Sequence, residues 1–288
     1  MTVHAEVETL FPYARWRSRL PALHEQYAHA DPFPHIHLER FLDAAVIERA
    51  IAEFPEMGSG PWVHYKHFNE NKQGMTARDA FPPFIGSIVD ELNSPAFVAW
   101  LSRLTGIPNL VADPGLEGGG MHQSGTGGFL NVHADFTRHH HQTTWRRRVN
   151  VIVYLNRGWR PEWGGAIELW DRAMTHAVVR VPPLANHAVI FNTDDSSYHG
   201  FADPLRCPRG VPRKSLATYY YTEDVGVSAP ARSTNYQARP GDGAGKSALI
   251  WADKTLVNLY SRAKSTFGLS DDFASRALGL LDRWKRKP

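Results

Sequence analysis

The sequence contains a histidine and an aspartate, His133 and Asp135, two residues apart within an apolar run. Successive side chains of a β-strand point to opposite faces, so residues two apart share a face. A strand here would present an imidazole nitrogen and a carboxylate oxygen to one point. These are two of the three ligands of the two-histidine, one-carboxylate site that holds non-haem Fe(II). The pair alone also fits a strand histidine hydrogen-bonded to a neighbouring carboxylate.

A third ligand and an anion anchor follow later in the chain. His199 is the best candidate ligand, because it comes after an apolar run at 187–192 and a polar turn at 193–197. Arg213 and Ser215 then lie two apart on one face of the next predicted strand. A planar guanidinium and a hydroxyl suit the far carboxylate of a keto acid such as 2-oxoglutarate. For Arg213 the alternative is a surface ion pair, and for His199 a turn histidine.

The segments that must position these residues form a β-rich core at 116–222. Short apolar or alternating runs are separated there by turn residues, which favours an antiparallel sandwich or jelly roll. The predicted strands are 128–135, 148–155, 166–170, 177–181, 187–192 and 215–221.

The flanking regions are expected to be helical. In region 1–115, Asp43 is expected to cap one helix, and another runs from about Pro83, is interrupted at Pro95 and resumes. Region 223–288 is expected to be a polar connector followed by helices near 246–260 and 270–286. We expect these helices to pack outside the core, so that residues 1–288 form a single domain.

Composition excludes several classes of protein. The chain has 288 residues, a formal net charge of +3 and one cysteine, Cys207, so neither an intrachain disulfide nor a cysteine-based zinc site is expected. We expect no membrane span and no secretory signal, and therefore a cytoplasmic setting. The modest charge argues against a nucleic-acid partner.

Five segments together carry a specific pattern. They are residues 127–135, 148–156, 163–170, 199–200 and 213–217. With them the region 116–222 resembles the Fe(II)/2-oxoglutarate-dependent oxygenases, and within these the prolyl-4-hydroxylase-like branch. The resemblance implies a mainly β fold with flanking α-helices, namely a double-stranded β-helix (jelly-roll) core packed by the N- and C-terminal helices. It also implies Fe(II), 2-oxoglutarate and O2 as cofactor and co-substrates.

The resemblance also assigns roles to residues. His133, Asp135 and His199 would bind iron, and Arg213 would pair with the C5 carboxylate of 2-oxoglutarate. Six further residues are predicted to contact the co-substrate or to line its pocket: Tyr154, Ser215, Asn150, Ile152, Ile167 and Gln123. Gln123 stands where family members often have a tyrosine, and a barrel-wall amide is its alternative reading. Lys214 is the alternative cation, but it would face away from Ser215.

Three residues are candidates for substrate contact at the mouth of the barrel. These are Asn131, Arg138 and His139, the last within the His139-His140-His141 tract, for which a solvated loop is the alternative. The segment 62–72 is interpreted either as a substrate lid or as a plain loop. The cluster Arg146-Arg147-Arg148 is interpreted as a group of salt bridges at a strand entry.

The leading functional hypothesis is a hydroxylase of a small molecule or amino-acid-derived substrate that releases succinate and CO2. Since related halogenases lose the carboxylate ligand, Asp135 favours hydroxylation, or desaturation and cyclisation. The alternatives are a protein prolyl or other side-chain hydroxylase and a non-catalytic jelly-roll metal-binding protein. Nucleic-acid demethylation is a weaker option. The sequence predicts neither the substrate nor the oligomeric state.

Overall fold

The structure is a computed structural model that describes residues 9–224, 226, 233–253 and 255. Its helices are α1 (Tyr13–Arg17), α2 (Leu20–Ala28), α3 (Ala44–Glu53), α4 (Pro83–Leu92) and α5 (Pro95–Thr105), and residues 244–253 are also helical. The predicted helices beyond residue 255 lie outside the described residues. None of the helices in the described ranges is both long and apolar enough to cross a membrane.

Within the described residues, thirteen antiparallel strands form the core. They are β1 (His35–Glu39), β2 (Val63–His67), β3 (Glu70–Met75), β4 (Val111–Ala112), β5 (Gly120–Ser124), β6 (Phe129–Ala134), β7 (Trp145–Tyr154), β8 (Ile167–Trp170), β9 (Ala177–Val181), β10 (His187–Asn192), β11 (His199–Phe201), β12 (Arg213–Glu223) and β13 (Asn235–Tyr236). The main path runs β1-β10-β7-β12-β5-β3-β6-β11-β8-β9. Every strand predicted within 116–222 is present.

The sheet folds back on itself, so that its two halves face each other. Tyr154 and Phe191 from one half pack against Ile167 and Leu169 from the other in a single buried cluster. This arrangement is the predicted double-stranded β-helix: a nearly closed antiparallel barrel with flanking helices.

The helices cover the outer face of one half of the barrel. Alternate residues of β7 and β12, among them Val151 and Leu216, belong to the same large apolar cluster as Ile88 of α4 and Leu101 of α5. The hydroxyl of Tyr220 also donates a hydrogen bond to the Leu92 carbonyl at the end of α4 (2.7 Å). The helices thus bury the outer face, and the inner face remains available for the site.

The region 1–115 also contributes four strands to the sheet, which the prediction of a mostly helical region missed. The interpretation of 62–72 as a plain loop is also wrong, because β2 and β3 form a hairpin there, whereas its role as a substrate lid stays a prediction. β3 pairs with both β5 and β6 and so joins the two halves of the barrel. Its sequence, ENKQGM, lacks the apolar alternation that identifies a strand, since its inner face borders a polar cavity.

Asp43 occupies the N-cap position of α3, as predicted, but its side chain does not cap the helix. Its carboxylate instead accepts a hydrogen bond from the Arg15 guanidinium. The Asp43 carboxylate thus links α3 to α1 through Arg15 instead of capping the first turn of its own helix.

Candidate metal and co-substrate site

The predicted metal ligands meet inside the barrel. His133 is near the end of β6, Asp135 follows that strand directly, and His199 begins β11, where it pairs with His133 across the sheet. The Nε2 atoms of His133 and His199 each lie 3.5 Å from a carboxylate oxygen of Asp135. The three ligand atoms all lie within 4.8 Å of one another. One cation can therefore contact all three.

Both histidines are held in the orientation that a metal ligand needs. Nδ1 of His133 donates to the Asn131 carbonyl (2.9 Å), and Nδ1 of His199 donates to the Ser197 carbonyl (2.9 Å). These bonds place the proton on Nδ1 and leave the Nε2 lone pair of each ring directed at Asp135. Burial lowers the pKa of His199 to about 4, so this ring is neutral at pH 7.

Asp135 is held by a second layer of polar side chains. Its Oδ2 accepts a hydrogen bond from the Asn150 amide (2.7 Å) and lies 3.1 Å from the Arg147 guanidinium. Arg147 also donates to the Asn150 side-chain oxygen (3.0 Å). Burial alone would raise the pKa of Asp135, but Arg147 and the two histidines hold it well below its usual range. The ligand is thus a carboxylate at any physiological pH.

Arg147 itself is buried between two aromatic rings. The centre of its guanidinium lies 3.5 Å from the ring centroid of Tyr219 and 4.4 Å from that of Phe136. Arg147 does form an ion pair at the strand entry, as the interpretation of the arginine cluster predicted, but its partner is the predicted metal ligand Asp135, which the sequence did not indicate. Alternation along β7 would place Arg147 on the outer face with Val149, Val151 and Val153, but the register of β12 against β7 shifts between Tyr220 and Tyr221, and the sequence gives no signal of this shift.

A cavity extends from the three ligands into the barrel. It contains about 660 Å³ of empty space, open solvent at its mouth included. Its walls include the six side chains predicted for the pocket other than Tyr154: Gln123, Asn150, Ile152, Ile167, Arg213 and Ser215. His122, Lys72 and Tyr219 also line it, and none of these three was predicted.

Arg213 lies deep in this cavity. Its Nε donates to the Gly165 carbonyl (2.7 Å), and its terminal nitrogen donates to the Tyr154 hydroxyl (3.2 Å). Within the described residues no carboxylate pairs with it, and burial lowers its pKa. Gly165 has a φ of +75°, and a Cβ there would lie 2.6 Å from Leu205 and 3.1 Å from Arg213. A buried cation of this kind requires a compensating anion, which a bound ligand can supply.

His122, rather than Gln123, shares the inner face with Ser215. The register of β5 and β12 pairs His122 with Ser215 and pairs Gln123 with Lys214. The Gln123 amide donates to the Gln73 side-chain oxygen (2.9 Å), as a barrel-wall amide would. Nε2 of His122 is buried and makes no hydrogen bond with any residue that the structure describes. Burial, aided by Lys72, lowers the pKa of His122 to about 3, so the ring is neutral.

The three predicted substrate contacts do not line the cavity. Asn131 donates to the Asn69 side-chain oxygen (3.1 Å), and Arg138 forms an ion pair with Asp224 (2.7 Å). His139 is buried, with Nε2 3.4 Å from Asp113 and its ring packed on Tyr221 (5.4 Å between centroids). These contacts support the barrel mouth without reaching the metal ligands.

A segment that the sequence did not link to the site lies beside it. We call residues 233–253 the C-terminal strap. Its strand β13 pairs with β6, and the buried Tyr236 ring lies 5.5 Å from the His133 ring. At its far end Asp253 accepts hydrogen bonds from His67 (2.7 Å) and Asn69 (2.6 Å). The strap thus covers one side of the metal ligands.

Residues 119–221, which contain every predicted metal ligand and co-substrate contact, match a family model described as the 2OG-Fe(II) oxygenase superfamily. No curated protein sequence matches the chain.

Among solved structures, the chain is similar to a prolyl hydroxylase from Trichoplax adhaerens, solved in complex with a hypoxia inducible factor oxygen degradation domain peptide fragment. The two are 14% identical with a TM-score of 0.51, over 72% of this chain and 92% of that one. A Pseudomonas putida prolyl-4-hydroxylase is 19% identical with a TM-score of 0.45, over 71% and 100%. HygX from Streptomyces hygroscopicus, with nickel, 2-oxoglutarate and hygromycin B bound, is 14% identical with a TM-score of 0.46, over 69% and 86%.

The family match and the ligand set define the class of the chain, and the barrel agrees with it. The superfamily match covers residues 119–221, and together with the ligand set it identifies the chain as an enzyme of the Fe(II)-dependent dioxygenase type. Fe(II), 2-oxoglutarate and O2 are accordingly its cofactor and co-substrates. Two neutral imidazoles and one carboxylate fit Fe(II), and the solitary Arg213 fits the far carboxylate of the keto acid.

Proposed function

We propose that the protein hydroxylates an unactivated C–H bond of a small molecule or amino-acid-derived substrate, with release of succinate and CO2. In this proposal His133, Asp135 and His199 hold the iron, and Arg213, Tyr154 and Ser215 hold the C5 carboxylate of 2-oxoglutarate. The observation that carries these roles is the buried Arg213, which lies in the same cavity as the metal ligands and lacks a carboxylate partner within the described residues.

The bound iron and keto acid supply the oxidising power, and the chain supplies position and exclusion of water. Arg147 and Asn150 keep the Asp135 carboxylate ionised and fixed, and two backbone carbonyls fix the histidine tautomers. Phe191 packs against the His199 ring (4.6 Å between centroids) and closes that side of the site to solvent. Such second-layer contacts typically orient the ligands and raise the affinity for the metal.

Two features support a compact substrate with an anionic group. The strap covers one side of the metal ligands through Tyr236, which favours a compact molecule over a folded protein surface. Lys72 also lines the cavity, with its ammonium 3.0 Å from Glu70. Since Arg213 is assigned to 2-oxoglutarate, Lys72 is the other cation in the described lining, and a substrate carboxylate would share it with Glu70.

A protein side chain is the second candidate substrate. A groove adjoins the cavity and shares Lys72, Gln123 and Ser124 with it, and an extended peptide would fit along such a groove. Supplying amino acids, their small derivatives and proline-containing peptides in parallel separates the two candidates. Succinate formation stimulated by peptides alone would favour the second one.

The proposed roles are tested by 2-oxoglutarate binding to the Fe(II)-loaded protein without oxygen. Calorimetry and the visible charge-transfer absorption of the iron–keto acid complex both report this binding. We expect one equivalent to bind, and we expect Arg213→Met to weaken binding while leaving iron bound. A protein that takes up iron but no 2-oxoglutarate would instead be a non-catalytic metal-binding jelly roll.

A further inference from the structure

A second group of metal-binding side chains lies on strands β1 and β10. His37 and Glu39 belong to β1, and His187 begins β10. Nε2 of His37 lies 2.8 Å from Nδ1 of His187. One donor atom from each of the three residues lies within 4.8 Å of the others. None of the three lines the iron cavity.

Strand geometry brings these residues to one face. His37 and Glu39 are two apart on β1, so they share a face. The antiparallel register pairs Glu39 directly with His187, which brings the second imidazole to the same face. The iron ligands follow the same rule, since His133 and Asp135 are two apart and His199 pairs across the sheet with His133.

The two histidines carry the neutral imidazole form that binds metal cations. Burial, together with the mutual proximity of the rings, lowers the pKa of His37, and burial lowers that of His187. Both rings are therefore neutral at pH 7. At 2.8 Å one ring donates its N–H proton to the other, and a divalent cation can bind both facing nitrogens once the donor ring carries its proton on its other nitrogen. Glu39 is exposed, which leaves room for water to complete the coordination sphere.

We propose that His37, Glu39 and His187 form a second metal site, distinct from the iron centre, that binds Zn²⁺. Two imidazoles and one carboxylate suit zinc, and the open position is filled by water. The ion joins the edge strand β1 to β10, whose Phe191 packs on the iron ligand His199. The site thus stabilises the side of the barrel that supports the iron centre.

Zinc stoichiometry tests this proposal. The tag-free full chain, freed of metal, is titrated with Zn²⁺ against a chromophoric chelator. We expect two equivalents in the wild type, one in His187→Ala and one in Glu39→Gln. We also expect one equivalent in the His133→Ala/His199→Ala double variant and none when His187→Ala is added to it. Glu39 is exposed, so its substitution does not endanger folding.

His29→Ala is the matched control, since His29 also lies beside a carboxylate, with Nδ1 3.5 Å from Glu25, but has only that one partner in the described structure. It should still bind two equivalents. Zinc should also raise the melting temperature of the His133→Ala/His199→Ala variant, and Glu39→Gln in that background should abolish the rise. A single equivalent in the wild type, or two equivalents in both His187→Ala and Glu39→Gln, would overturn the proposal.

Discussion

The guanidinium of Arg147 lies 3.1 Å from Oδ2 of Asp135, the one carboxylate among the proposed metal ligands. Arg147 is almost fully buried, and the rings of Phe136 and Tyr219 hold it in place. Because a charged neighbour at this distance keeps Asp135 ionised and fixes its direction, the metal site depends on a residue that does not touch the metal.

Substitution of Arg147 by Met should therefore weaken metal binding. Loss of a second-layer contact typically costs about 10–100-fold in affinity for the metal. The measurement is Fe(II) or Co²⁺ affinity by competition, with circular dichroism to establish that the variant folds. Arg146→Met is the matched control, because it removes the same charge from the neighbouring residue, whose side chain is exposed. An equal loss of metal affinity in both variants would mean that the overall charge of the protein, and not the contact with Asp135, causes the effect.

Replacing Arg213 by Met should abolish tight binding of 2-oxoglutarate without displacing iron. Truncating one partner of a buried, hydrogen-bonded charge pair costs about 2–5 kcal/mol, which is a loss of roughly 30-fold or more in affinity. Lys214→Met is the control, since Lys214 lies on the outer face, 4.9 Å from the Phe54 ring. An unchanged Kd for 2-oxoglutarate in Arg213→Met, measured on Fe(II)-loaded protein without oxygen, would refute the assigned role.

His122 should contact the co-substrate more strongly than Gln123 does. Among the residues that the structure describes, its buried Nε2 has no partner, and it faces the same interior as Ser215, whereas the Gln123 amide is bonded to Gln73. A hydrogen bond to a charged group contributes about 1.5–3 kcal/mol, so His122→Leu should raise the Kd of 2-oxoglutarate by roughly tenfold or more. Gln123→Leu should change it less. The reverse order would restore Gln123 to the role that the sequence suggested.

The strap should loosen as the pH rises. Burial alone would lower the pKa of His67, but the hydrogen bonds to Asp253 and Glu70 raise it to about 9. A folded-state pKa above the unfolded value of about 6.5 means that the stabilisation is fully present below pH 6.5. It is lost as the pH rises through 9. Compared with His67→Gln, the wild type should lose on the order of 2–3 kcal/mol of unfolding free energy across this window.

Chemical denaturation at several pH values measures this difference, and hydrogen exchange across residues 233–253 locates it. Parallel pH profiles for the wild type and His67→Gln would show that the ion pairs of His67 do not hold the strap.

The sequence predicted the β-core and the metal ligands because their patterns are local. His133 and Asp135 share a face by spacing alone, and His199 follows a recognisable apolar strand. The strands β1–β4 were missed because short, partly polar strands such as β3 are defined by distant partners rather than by their own alternation.

The rest of the site depends on how distant strands align with one another. The spacing of residues along the sequence does not indicate this alignment. The correspondence of Gln123 to a family tyrosine stays a prediction, and the pairing of β5 with β12 places His122, not Gln123, opposite Ser215. Arg147 resembled its exposed neighbour in type, and only burial between two rings distinguishes it. The contact of Tyr236 with His133 joins segments about 100 residues apart, for which the sequence carries no local signal.

The central claim is that His133, Asp135, His199 and Arg213 form one centre that couples O2 to the oxidation of 2-oxoglutarate. Its most direct test is succinate formation from 2-oxoglutarate by the Fe(II)-loaded protein under ¹⁸O2. We predict Fe(II)-dependent succinate that carries one labelled oxygen atom and is lost in Asp135→Ala and Arg213→Met. Unlabelled succinate, or succinate formed equally by wild type and both variants, would contradict the account.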